Sequence, residues 1–438
     1  MNQENASTSR REFLRASSAV TAGLVAAPFV LTGRSATLSP GDAIKVGLVG
    51  CGGRGSGAAK QALNADSNVQ LVAVADAFEN NLQRGLNALR NDMEVKDKVK
   101  VEPEKCFVGL DSYQKLIDSG VDLVILASPP GFRPVHLKAA VEAGKHVFCE
   151  KPMATDAPGV RSILESVAKA KEKNLAIVAG YCWRYNYAER AIFQKIIAGD
   201  IGDVRAYYGT YNTGLVGRNV PRTPEMGDLE YQVRNWFFYT WLSGDHLVEQ
   251  CIHTVDKMAW AFNDVPPVKC VAHGGRQVRT APEYGNIYDH FEIVYEYPNN
   301  ARGFIFCRQQ ANCANDNSDW IYGSKGTGRV LGFGGMPWIK DDKGENAWRY
   351  SGPRPDMYQV EHNELFKSIR DGKPINDGIR MAHSTLVGIM GRMAAYTGKE
   401  ITWEQALTSQ EDLAPKTWDL KAPFPAAPVA MPGKTKFI

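Results

Sequence analysis

The chain has 438 residues, with 51 Lys plus Arg against 48 Asp plus Glu and a formal charge of +3. That length allows two domains with well-buried cores, and so small a net charge excludes the one-signed field that nucleic acid or an anionic membrane would need. The expected partner is a small molecule.

The first 36 residues do not read as fold. Arg10-Arg11 precedes a modest apolar run from Ala16 to Leu31, and Gly33-Arg34-Ser35-Ala36 offers a cleavage point. Interrupted by Ser, Thr, Gly and Pro28, the run is too weakly apolar to span a bilayer comfortably. Residues 1–36 resemble a twin-arginine export signal, which implies a periplasmic or otherwise exported protein with the export machinery as a transient partner. The eight cysteines show no CxxC spacing and read as buried free thiols, as suits a protein folded in a reducing cytoplasm before export.

Lys45 to Val49 reads as a buried strand that breaks into the glycine turn Gly50-Cys51-Gly52-Gly53-Arg54-Gly55, with a helix expected from about Gly57. Glycines at those offsets make a tight turn, admit a pyrophosphate close to the backbone, and seat the helix on the sheet. The phosphates would rest on the open amides at the helix start. A second apolar strand, Val69 to Ala75, ends in Asp76, about 20 residues past the last glycine, where a dinucleotide fold places its ribose-binding acid. The negative charge of Asp76 would repel a 2′-phosphate, so NAD is expected over NADP.

Next come a helix over Asn80 to Arg90, a polar connection, and the stretch Val101 to Val108 leading to a helix start at Asp111. Val121 to Ala127 is an apolar strand closed by Ser128-Pro129-Pro130, and a helix spans His136 to Glu142. The strand Lys145 to Cys149 delivers Glu150-Lys151-Pro152, and a helix (Val160 to Lys173) and a strand (Ala176 to Gly180) complete an α/β Rossmann domain over residues 43–185, a doubly wound parallel sheet.

From residue 186 the pattern changes. A helix over Ala188 to Ala198 precedes strands at Val204 to Thr210, Val268 to Gly275, His290 to Tyr297, Gly303 to Gln310, Trp320 to Gly323 and Arg329 to Leu331. Their short turns predict a C-terminal α+β domain, residues 186–402, with a large, mostly antiparallel open sheet. Late helices, Val360 to Arg370 and Ile379 to Thr397, are expected to pack back on the first domain. Residues 403–438 read as an extended tail reaching a neighbouring subunit of a homo-oligomer. Between these, Leu247 to Trp260 is expected to be one helix, which puts Glu249 and His253 one turn apart on a common face.

With the glycine turn, Asp76, Glu150-Lys151-Pro152 and Glu249-x-x-x-His253-x-x-Asp256 in this order, the chain from Ile44 to Thr402 resembles the glucose-fructose oxidoreductase, inositol dehydrogenase and rhizopine-catabolism dehydrogenase (Gfo/Idh/MocA) family. The resemblance implies a nicotinamide cofactor at the seam of two domains and oxidation or reduction of one hydroxyl or ketone of a sugar or cyclitol. It assigns Gly50, Gly52, Gly53, Arg54, Gly55, Asp76, Ser128, Pro129, His136, Glu150 and Lys151 to the cofactor. Lys151 would also steady the reacting oxygen. His253 can take the hydroxyl proton, with Glu249 behind it to orient the imidazole; the family often has Asp at the position of Glu249.

Aromatic faces beside polar groups suit a carbohydrate, so Trp183, Arg184, Tyr185, Trp241 and His246 are the expected substrate contacts. His246, Glu249 and His253 would share a helical face, yet the implied chemistry needs no metal, and none is expected. Two other functions fit the same motifs: a redox-neutral NAD-dependent glycoside hydrolase, and a non-catalytic sugar-binding or sensing protein.

Overall fold

The computed structural model describes residues 41–332 and 335–438, so residues 1–36, which are expected to be an export signal, lie outside the described residues. The first domain runs β1 (Ile44–Val49), α1 (Gly53–Ala65), β2 (Val69–Asp76), α2 (Glu79–Arg90), β3 (Cys106–Val108), α3 (Ser112–Ile117), β4 (Leu123–Leu126), α4 (Arg133–Glu142), β5 (His146–Cys149), α5 (Ala157–Glu172) and β6 (Ile177–Ala179). Its parallel sheet has the order β3-β2-β1-β4-β5-β6, which changes direction at β1. Leu123–Leu126 and His146–Cys149 are buried throughout, the signature of strands covered on both faces. β3 is short because Pro103–Lys105 turns as a 3-10 segment before it.

The second domain continues with α6 (Tyr187–Ile197), β7 (Val204–Thr213), α7 (Asp228–Arg234), α8 (Thr240–Ser243), α9 (Asp245–Glu249), α10 (Ile252–Ala261), β8 (Lys269–Gly275), β9 (His290–Glu296), β10 (Arg302–Gln309), β11 (Ser318–Gly323), β12 (Gly326–Leu331), β13 (Trp338–Asp341), β14 (Asn346–Arg349), α11 (Met357–Arg370), α12 (Gly378–Thr397), β15 (Ile401–Thr402) and α13 (Trp403–Thr408). The nine-stranded sheet has the order β14-β13-β12-β11-β7-β10-β9-β8-β15 and is antiparallel except where β7 runs parallel to β10. β13, β14 and β15 were not anticipated; they are short, and β14 is largely exposed, so no strong alternation marks them.

One face of this sheet carries Tyr207, Ile305, Ile321 and Tyr295 into the core against α10 and α12. Helix α11 lies on α1 and puts Leu365 and Phe366 into the core under β1 and β2, whereas α12 sits at the seam, against β8 on one side and α5 on the other. No helix among the described residues is long and apolar enough to cross a membrane. All eight cysteines are free, but Cys106 is half-buried and Cys313, in the loop after β10, is exposed, contrary to the expectation that all are buried.

The tail is not uniformly extended. Thr402 and Gln405 form a capping box that starts helix α13, and the rest returns over its own chain. Arg161 on α5 donates to the Leu407 and Ser409 carbonyls, the Leu413 amide donates to Asp156, and Gln232 on α7 donates to the Phe424 carbonyl at 2.5 Å. Trp418 and Phe424 reach Trp241 at 6.2 and 5.5 Å between ring centroids.

Candidate active site

Gly50 at the end of β1 has φ +94°, a conformation that favours glycine, and an added Cβ there would meet the Ser128 amide at 2.6 Å. A Cβ on Gly55 would lie 1.8 Å from the Gly50 carbonyl oxygen, whereas Gly52 and Gly53 have nothing within 4 Å of that position. The first pair closes the turn, and the second pair leaves its outer side open for a ligand. Helix α1 starts at Gly53, four residues earlier than expected, so Gly53, Arg54 and Gly55 form its first turn and their free amides point at that opening.

At the end of β2, Asp76 accepts from the Cys51 amide at 2.8 Å and from the Phe78 amide at 3.0 Å. Burial raises its pKa, and the two amide bonds oppose that shift by favouring the carboxylate. Asp76 lines a cavity of about 140 Å³ with Gly50, Phe78, Asn81 and His136. His136 stacks on Tyr113 with centroids 4.2 Å apart and meets the Ser128 hydroxyl at 3.0 Å through Nδ1; burial pushes its pKa down to about 3, so it is neutral. An adjoining cavity of about 490 Å³ shares Gly52, Ser128, Pro129 and Trp236 with the first and adds Arg54, Glu150, Lys151, Trp183, Glu249 and His253. A long, two-lobed ligand with an anionic middle fits this shape: a nucleoside end beside Asp76, phosphates on the α1 amides, and a reactive end beside Lys151 and His253.

The peptide bond between Lys151 and Pro152 is cis, and Lys151 follows directly on β5. Its ammonium donates to the Glu249 carbonyl at 2.7 Å and to Glu249 Oε1 at 3.0 Å, with the two side chains 14% and 8% exposed. The expected helix over 247–260 is in fact two helices. The Gln250 and Cys251 amides both donate to the His246 carbonyl at 3.0 Å, a wide turn that ends α9 and lets α10 begin at Ile252. Glu249 therefore faces Lys151 and Gln250, whose Nε2 donates to its Oε2 at 2.7 Å, and it does not stand behind the imidazole as expected. His253, in the first turn of α10, is half-buried with Nδ1 shut away from solvent and unpartnered. Desolvation, then the Lys151 and Lys257 charges, hold its pKa well below the ordinary histidine value, which leaves a neutral imidazole able to accept a proton.

Four expected substrate contacts lie elsewhere. Arg184 is buried and gripped by Asp256 at 2.8 and 2.9 Å and by Asp264, so its guanidinium fastens the turn carrying Trp183 to the helix carrying His253. Tyr185 donates to Asp377 at 2.7 Å. Trp241 donates to Gln232 at 2.8 Å within the aromatic cluster under the tail, and Trp236 lines the cavity instead. His246 is fully buried beside Phe291, with no partner for either ring nitrogen. Its place removes the helical face it was to share with Glu249 and His253, and among the described residues no group of His, Cys, Asp and Glu is gathered as a metal ion requires. Of that set only Trp183 faces the cavity.

Arg133, Tyr211, Gln250 and Tyr358, which carry no sequence signal, complete the walls. Arg133 is fully buried and donates to the Pro152 carbonyl and to the Ser128 carbonyl at 2.5 Å, tying together the loops that follow β4 and β5. Arg54 pairs with Glu150, lies 3.5 Å from Glu361 and sits 4.9 Å from the Tyr358 ring centroid. Burial, and then the Glu150 charge, push Glu361 well above the usual carboxyl range. Tyr211 from β7 and Gln250 close the far side and share a 3.1 Å hydrogen bond.

Residues 44–181 match the oxidoreductase family with an NAD-binding Rossmann fold (GFO_IDH_MocA), and residues 190–329 match the GFO/IDH/MocA C-terminal domain. Inositol 2-dehydrogenase of Rhizobium meliloti (strain 1021) is 24% identical over 65% of this chain and 74% of its own length. Inositol 2-dehydrogenase 1 of Saccharopolyspora erythraea is 30% identical over 48% of this chain, and the match spans 57% of that enzyme. Two solved structures, aldose-aldose oxidoreductase from Caulobacter crescentus complexed with glycerol and levoglucosan dehydrogenase in complex with NADH and levoglucosan, each share 18% identity and a TM-score of 0.64. Each comparison covers 82% of this chain and 99% of the other, and at that identity the likeness shows the fold. A glycine turn open to phosphate, an acid at the end of β2 and two family matches that together span most of the described chain make one conclusion: this protein belongs to the Gfo/Idh/MocA family of oxidoreductases, with an NAD-binding Rossmann domain at its N-terminal side.

Proposed function

We propose that this chain is an exported NAD-dependent oxidoreductase that transfers hydride between nicotinamide and a hydroxyl or ketone carbon of a sugar, glycoside or cyclitol. One observation supports it above the others: a neutral imidazole, His253, and an ammonium, Lys151, wall the same cavity as the open glycine turn. The inositol 2-dehydrogenase names of the relatives agree with that substrate class. Bound in this cavity, NAD supplies the hydride acceptor. His253 takes the hydroxyl proton as the carbon is oxidised. Lys151 stabilises the negative charge that develops on the oxygen. Glu249 holds the Lys151 ammonium in place through two contacts, and Trp183 and Trp236 offer flat faces to a sugar ring.

Supplying the purified protein with NAD and a panel of sugars, inositols and aryl glycosides tests this. NADH accumulation is the expected outcome. Glycoside cleavage without net NADH would transfer the protein to redox-neutral hydrolysis, and binding without conversion would make it a sugar sensor. Export through the twin-arginine route is part of the proposal: replacing Arg10-Arg11 with two lysines should retain the protein in the cytoplasm, as cell fractionation would show.

A further inference from the structure

Beyond Trp183 lies a third cavity, of about 230 Å³, lined by Trp183, Asn186, Glu189, Pro337, Arg354 and Met357. Trp183 also lines the cavity that holds His253 and Lys151, so its indole is a shared wall. The ring is braced by the Lys257 ammonium, 4.2 Å from its centroid. We propose that this outer cavity is a subsite for a second sugar ring, so that the preferred substrate is a glycoside of at least two rings, oxidised on the ring nearer the nicotinamide. The proposal deepens the carbohydrate oxidoreductase reading and rests on it.

The chemistry of the walls points to a sugar ring. Glu189 is 3% exposed at its side chain; Oε1 lies 3.3 Å from Lys257, while Oε2 is buried with no partner in the protein. A buried carboxyl oxygen left unsatisfied is costly; Glu189 lines the cavity, and a small turn of its side chain would offer Oε2 to a ligand hydroxyl there. Burial raises the Glu189 pKa to about 8, so near neutrality the group is mostly protonated and can donate as well as accept. Arg354 is exposed at the rim, where a guanidinium can bridge vicinal hydroxyls. Trp183 and Pro337 supply apolar surface for the C–H face of a pyranose. A purely aromatic aglycone would leave Glu189 Oε2 unsatisfied.

The test compares kcat/KM for NADH formation, at saturating NAD, between disaccharides (cellobiose, maltose, lactose) and the methyl glycosides of their oxidised rings. The expected result is a preference of about tenfold or more for at least one two-ring substrate. That ratio should fall toward one in Glu189→Gln, which keeps the shape, and separately in Arg354→Ala, a surface change that does not threaten folding. A preference for one-ring substrates, or a two-ring preference untouched by either variant, overturns the second subsite while the oxidoreductase reading stands. Absence of NADH from every carbohydrate overturns both.

Discussion

His253 is placed to act as a base because its environment penalises the cation: it is desolvated and it faces two ammonium groups. Lowering the pH protonates an ordinary histidine near 6.5, so activity carried by such a base would fall there. Here the folded-state pKa is depressed, and the acid limb of kcat/KM for alcohol oxidation should lie below pH 6.5. His253→Asn should lower kcat by roughly 10²–10⁴-fold while NAD still binds, as stopped-flow and titration calorimetry would show. An acid limb at or above 6.5, or a fully active variant, would remove the imidazole from the reaction. Arg184 has a structural consequence instead. Arg184→Leu strips the buried Asp256 carboxylate of its guanidinium and leaves it only the Ser384 hydroxyl and the more distant Arg380 charge, which should cost about 3 kcal/mol, measured by denaturant unfolding. In the sequence Arg184 reads as a substrate contact because aromatic and cationic residues beside a strand end look alike in a pocket and in a buried ion pair. Nothing in the sequence signals that Asp256 and Asp264 take both edges of its guanidinium.

Among the elements, the glycine turn makes the sharpest demand. Gly55→Ala would force α1 away from the Gly50 carbonyl, costing about 1–3 kcal/mol and weakening NAD binding by roughly tenfold or more. Gly53→Ala meets nothing within 4 Å, so it should change the melting temperature little; differential scanning calorimetry on the pair separates the packing role from the ligand-facing one. The turn and the strands β1, β2, β4 and β5 were legible because a buried parallel strand is a continuous apolar run and a phosphate turn has fixed glycine offsets. The break between α9 and α10 was not. Helical periodicity persists across it, and the wide turn at His246 depends on the φ of +78° at Gly244 and +73° at Asp245 that start α9. That break moved Glu249 from His253 to Lys151. Arg133, Tyr358 and Glu361 were equally hidden, since they act through contacts that only the assembled seam creates.

For the whole molecule, acid should be destabilising. Buried His136 and His246 have pKa values near 3 and His146 near 4, while unfolded histidines bind a proton near 6.5. Between those values the unfolded state holds more protons, so stability rises with pH and is lost as pH falls through that window, by about 1.4 kcal/mol per pH unit for each such histidine. Asp245, raised to about 6, and Glu189, raised to about 8, work in the opposite direction, because their folded forms keep protons that unfolded carboxyls lose. His253 and His362, held well below the ordinary value, act with these histidines, and Glu361, held well above the carboxyl range, acts with the carboxyls; with five such histidines against three such carboxyls, melting temperatures measured from pH 7 to 4.5 should fall. The outer face of the nine-stranded sheet, where Tyr208, Phe306 and Trp320 are half-buried and Tyr322 is 41% exposed, is the surface on which we propose that two copies join. Light scattering should give a mass above that of one chain, reduced to one chain by Phe306→Arg.

The C-terminal return over the molecule bears on turnover. By fastening to α5 through Arg161 and Asp156, to Phe132 through Trp418 and to α7 through Phe424, it laces together two walls of the cavity beside Asp76, Phe132 on one side and Val233 of α7 on the other. A laced cleft resists the hinge-like gaping through which a dinucleotide leaves, so release of NADH rather than hydride transfer should set the pace of turnover, and stopped-flow mixing should show a burst of NADH ahead of the steady rate. Cutting the lace after Thr408 should shorten the residence time of NADH and abolish that burst.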